Sequence, residues 1–178
     1  MKTRILKLTS VIALAVIAAL TVTFSFASGQ KVEEIQSQAS DSSNARKRTI
    51  QGVWRTVVTP RNCQTGEPVA PSLQGLFTFN KGGTMSEYGI GLGASPALRS
   101  PGHGVWQREH RWQDYSFTFT FYRYDASGIF VGAQKITATL ELGASGDEFT
   151  TNSSIQVFDA NDNVIGTGCA TAAGTRFE

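Results

Sequence analysis

Residues Tyr115 to Tyr122 alternate without a fault: Tyr115, Phe117, Phe119 and Phe121 are interleaved with Ser116, Thr118, Thr120 and Tyr122. Successive side chains of an extended strand point to opposite faces, so a period of two gathers these four rings on one side and the intervening hydroxyls on the other. A strand with one greasy face cannot be stable alone. Its sheet must close on itself or pack against a second sheet. The same pattern of a short strand followed by a turn recurs from Gly52 to Phe177, with no helical period between.

The first strand reads Gly52 to Thr59 and stops at Pro60. A loop holding Cys63, Pro68 and Pro71 leads to a second strand, Gly75–Phe79. Asn80-Lys-Gly-Gly83 supplies the positive-φ residues of a tight hairpin, and Thr84–Tyr88 follows as the third strand. A long Gly/Pro/Ser loop, Gly89 to Gly102, separates it from the fourth, Gly104–Arg108. The aromatic strand is the fifth. Asp125-Ala-Ser-Gly128 turns the chain into Phe130–Leu142, then Glu148–Phe158, then Val164–Ala172. Strands at this spacing predict an all-β fold, a single antiparallel eight-stranded barrel, with a two-sheet sandwich as the alternative.

Two cysteines bear on that choice. Cys63 follows the first strand and Cys169 lies in the last. A lone cysteine pair in an exported chain forms a disulfide, which would make the ends of the sheet neighbours, as closure requires.

Export is read from the N-terminus. Residues 1–27 carry Lys2, Arg4 and Lys7, then an apolar run through Leu20, and end in Ser25-Phe26-Ala27, the pattern of a signal peptide cleaved after Ala27. The apolar run approaches the length of about 20 residues that spans a bilayer, so a permanent anchor is the competing reading. Residues 28–49 are polar, with almost nothing to bury, and read as a flexible linker to a β-barrel domain at 50–178. Cleavage removes three basic residues and no acidic one. The 16 basic and 14 acidic residues of the whole chain become 13 and 14, and the net charge turns from +2 to −1. That balance gives no footing for nucleic acid or anionic membranes. Nor does the pattern suit stable membrane insertion after cleavage. Neither face of Glu148–Phe158 is apolar throughout, as an outer-membrane strand requires.

Catalytic candidates are few. His103, at the end of the long loop, could face a barrel mouth beside Glu87 or Tyr88, whereas His110 lies in a polar stretch. Two histidines in different settings make no zinc signature. Asp159-Ala-Asn-Asp-Asn163 lacks the glycine and the final acid of a calcium loop and reads as a hairpin turn. No cofactor or metal is expected. The aromatic set says more: it has bulk enough either to fill an eight-strand barrel or to line a pocket for one small apolar ligand. Tyr88, Trp106, Phe117, Phe119 and Phe121 are the expected wall, Glu87 or His103 the polar orienting group, and Gly89–Gly102 a lid or entrance.

Gly52-Val53-Trp54 at the start of the first strand resembles the Gly-x-Trp signature of lipocalins and related calycin barrels. The resemblance implies a lipocalin-like barrel in which the tryptophan closes the floor and packs against an arginine near the C-terminal end, here Arg176. Gly104-Val-Trp106 repeats the motif, and the Thr-Asp-Tyr turn of those proteins is absent. The chain as a whole also resembles exported bacterial proteins of this barrel type. The expectation is a secreted or periplasmic barrel that binds a small apolar or amphiphilic molecule. The alternatives are a cofactor-free enzyme resembling allene-oxide-cyclase-like or dirigent-like barrels, and a non-catalytic envelope interaction protein.

Overall fold

The alternation at Tyr115 resolves into a strand whose rings all face inward, with Tyr115, Phe117, Phe119 and Phe121 buried. The computed structural model describes residues 49–89 and 98–177. The expected leader at 1–27, the linker up to residue 48 and the middle of the long loop, 90–97, lie outside the described residues.

Eight strands follow in chain order: β1 Gly52–Arg61, β2 Leu73–Phe79, β3 Thr84–Gly89, β4 Gly102–Arg108, β5 Asp114–Tyr124, β6 Phe130–Leu142, β7 Glu148–Phe158 and β8 Val164–Arg176. Each pairs antiparallel with the next, and β8 pairs with β1 from Trp54↔Arg176 to Arg61↔Cys169. The barrel is closed and no sandwich forms. Closure leaves no strand with an unpaired edge. The Cys63–Cys169 disulfide spans this seam, with Cα atoms 5.2 Å apart.

Pro60 does not end the first strand. It lies opposite Ala170 on β8, and its carbonyl accepts from Val69 N at 3.1 Å on the other side. The missing N–H therefore falls where β1–β2 pairing, which stops at Val58↔Leu73, no longer needs a donor. The hairpin at Asn80–Gly83 has φ of 96° at Gly82 and 87° at Gly83, as its glycines imply. Asp159 closes its own turn, its Oδ1 accepting from the backbone of Asn161 and Asn163.

The two ends of the barrel differ. At the end where β1 and β5 begin, Ile50, Trp54, Phe79, Tyr115, Leu142 and Phe149 are almost fully buried and form a packed floor. Trp54 meets Phe149 edge-on at 4.9 Å between centroids, and Phe79 meets Phe117 at 5.7 Å. At the opposite end β8 turns only Ala170 and Ala172 inward, both buried. Small side chains on β8 face phenylalanines on β5, and that mismatch in volume leaves the upper half hollow. The outer face of β7 shows Thr150, Asn152, Ser154 and Gln156 to solvent.

Candidate functional site

The hollow is a cavity of about 510 Å³ bounded by every strand except β4 and by Leu98 and Arg99. Its apolar wall comes from Phe77 on β2, Phe117, Phe119 and Phe121 on β5, Ile136 on β6 and Ile155 on β7. A volume of this size suits one small organic molecule.

Glu87 is the acid in this wall. The period of two on β3 turns Met85 and Glu87 inward, and Glu87 is only 6% exposed. Room for its carboxylate comes from two glycines. A Cβ on Gly89 would lie 2.7 Å from Oε1, and one on Gly102, its cross-strand partner, 2.7 Å from Oε2. Arg99 donates from Nη2 to Oε2, forming a buried ion pair. The Arg99 guanidinium carbon also sits 3.6 Å from the centroid of the Phe121 ring, a cation–π contact. Burial pushes the Glu87 carboxyl above the ordinary carboxylate range, and the neighbouring Arg99 charge opposes that shift without cancelling it.

Arg123 completes the rim. Its backbone forms an isolated bridge with Arg99, and Ser100 N bonds to Tyr122 O at 3.0 Å, so the end of the long loop is laced onto β5. The register of β5 on β6 shifts between Arg123 and Tyr124. Such a bulge changes the direction of a side chain, and here two consecutive residues, Arg123 and Tyr124, both reach the cavity. Arg123 Nη1 is buried and has no hydrogen-bond partner among the described residues.

Four of the seven expected ligand-binding residues, Glu87, Phe117, Phe119 and Phe121, line the cavity. The other three expectations are corrected. Tyr88 follows Glu87 on one strand and so points outward, 50% exposed, and His103 is likewise exposed on the outer face of β4. Trp106 faces the floor instead, half-buried against Phe79 and Tyr115, with its Nε1 donating to Asn80 O at 3.0 Å. Arg99 and Arg123 were not among the expected site residues. Arg123 was within reach of the pattern, since extending the Tyr115–Phe121 alternation by one step places it inward. Arg99 had no such signal, because it lies in a loop with no period.

At the floor, Arg176 stacks on Trp54, the contact that the Gly-x-Trp resemblance implies. No protein-family model matches the chain, and no curated protein is recognisably similar to it.

Proposed function

We propose that this is an exported barrel that holds one small apolar or amphiphilic molecule in the upper half of its interior. The observation that carries the reading is the aromatic-walled cavity above a packed floor. Apolar surface held away from neighbours forgoes dispersion contacts that a guest molecule would restore. The disulfide at the rim agrees with an oxidising compartment, and the signal-like N-terminus agrees with secretion or passage to a periplasm. The Gly-x-Trp resemblance, with Trp54 against Arg176, points the same way.

Tryptophan fluorescence titrated with a panel of lipids and terpenoids tests the proposal, since Trp54 and Trp106 pack into the aromatic cluster below the cavity. Binding is expected, and Ala170→Phe, which puts a ring into the cavity from β8, is expected to abolish it. A protein that binds no member of the panel, or an Ala170→Phe variant that binds as well as the parent, would refute the reading.

One observation favours a second reading. A carboxyl shifted upward in an apolar wall, as Glu87 is, suits a cofactor-free barrel enzyme that moves a proton on a bound intermediate. Glu87→Gln would then abolish turnover while binding persists. Retained turnover would exclude that role.

A further inference from the structure

The cavity is not electrically neutral. Its ionisable wall residues are Glu87, Arg99, Arg123 and Tyr124. Glu87 and Arg99 compensate one another in their ion pair, and Arg99 spends its remaining face on Phe121. Among the described residues Arg123 has no ion-pair partner, and its Nη1 is buried with no acceptor. An unsatisfied buried N–H costs about 1–3 kcal/mol, more when it belongs to a charged group. The apolar wall around this group supplies no acceptor of its own, so the partner must come from a water or from the ligand. The other buried side-chain atom without a partner, Thr56 Oγ1, is packed beneath Gly75 and is not part of the cavity wall.

Resting on the reading that the cavity holds a ligand, we propose that the ligand is a single-chain amphiphile with a carboxylate head. The head binds Arg123 at the rim, and the tail descends between the phenylalanines of β5 and the alanines of β8. Polarity in the wall runs in the required sense. Arg123, Arg99 and Gln134 occupy the rim half, Glu87 stands opposite Phe77 across the β2–β3 pair, and Phe117 and Ala172 border the floor. A guanidinium presents parallel N–H donors that match the two oxygens of a carboxylate, and such charge-assisted bonds are the strong ones. The neutralised Glu87–Arg99 pair beside it adds no net repulsion. An amphiphile with an uncharged head could accept one hydrogen bond from Arg123 but would not balance its charge.

Isothermal titration calorimetry on the protein recovered after expression of the full chain tests this, with dodecanoate, 1-dodecanol and dodecyl phosphate as probes at about pH 8, where a free carboxylate is ionised. Dodecanoate is expected to bind roughly tenfold to a hundredfold more tightly than dodecanol, the range of a hydrogen-bonded charge. Arg123→Gln should erase that preference, bringing the dodecanoate-to-dodecanol affinity ratio close to one. Arg123→Lys should keep part of it. An unchanged dodecanoate-to-dodecanol ratio in Arg123→Gln, with thermal unfolding showing the variant folded, would overturn the assignment. Equal binding of dodecanoate and dodecanol to the parent would reject the charged head and spare the cavity reading. Dodecyl phosphate binding more tightly than dodecanoate would replace the carboxylate by a phosphate head. Failure of all three probes to bind would reject the headgroup and count against the cavity reading as well.

Discussion

The guanidinium carbon of Arg176 lies 4.2 Å from the centroid of the Trp54 ring, and the two residues face each other across the strand pair that closes the barrel. Arg176 also donates to three backbone carbonyls, those of Thr49, Gln51 and Gly146, at 2.7 to 3.0 Å. One side chain thus ties the segment before β1 to the β6–β7 turn and caps the indole. Trp54 in turn donates from Nε1 to Ile50 O at 2.8 Å, so the buried indole N–H is satisfied.

Arg176→Ala is therefore expected to destabilise the barrel by about 3 kcal/mol, from lost cation–π and charge-assisted hydrogen bonds. Arg176→Lys should recover less than half of that, because an ammonium cannot fork between carbonyls while lying flat on a ring. Urea unfolding midpoints measure both. A loss below about 1 kcal/mol for the alanine variant would place the floor's stability in the aromatic packing alone.

Reduction of Cys63–Cys169 acts on the unfolded chain. The bridge spans 106 positions, and on the chain-entropy model a loop of that size contributes between about 4 and 5 kcal/mol. Reductant, or the Cys63→Ser/Cys169→Ser double variant, should lower unfolding free energy toward that amount while strand pairing persists. Differential scanning calorimetry with and without reductant checks it. An unchanged transition would count against the entropic account.

Glu87 gives stability a pH dependence with an unusual sign for a carboxylate in an ion pair. Its carboxyl is raised above 4.5 in the folded protein, so the folded state holds the proton where the unfolded chain has released it. Stability is then greatest below the unfolded value, falls as pH rises from about 4.5 through the shifted value, and is flat beyond. Glu87→Gln should remove this slope. Arg99→Met, by deleting the opposing charge, should extend it to higher pH. Unfolding free energies across that window, compared among the three proteins, decide the matter. A slope that survives Glu87→Gln belongs to another group.

Two glycines on β8 should respond oppositely to alanine. A Cβ at Gly174 would lie 2.2 Å from the Phe149 ring, which is held between Trp54 and Phe79 and has nowhere to go. Overpacking there should cost roughly 1–3 kcal/mol. At Gly166 the nearest atom would be Val157 Cβ at 3.7 Å, an ordinary contact, so Gly166→Ala should be neutral or stabilise by up to about 1 kcal/mol through the unfolded state. Chemical denaturation of the pair tests the contrast.

What could be read from the chain follows from which interactions are local. Strand order, the inward rings of β5 and the hairpin at Gly82–Gly83 were legible, because alternation and turn chemistry act within a few residues. The cysteine pairing was legible from there being two cysteines behind a signal-like N-terminus. Tyr88 and His103 were misplaced because their chemistry was weighed ahead of their phase. Glu87 and Tyr88 are adjacent on one strand, and His103 stands an odd number of residues from Trp106, so neither pair can share a face. The hollow itself was beyond sequence reasoning. It depends on Ala170 and Ala172 facing the rings of β5 across the interior, a juxtaposition that only closure creates. Arg99 joined the site for the same reason, carried there by pairing with Arg123.

Thr49 and Phe177 both lie at the floor, tied there by Arg176 and by the bond from Phe177 N to Val53 O at 2.8 Å. The polypeptide therefore enters and leaves the barrel at the same filled pole, the one opposite the hollow.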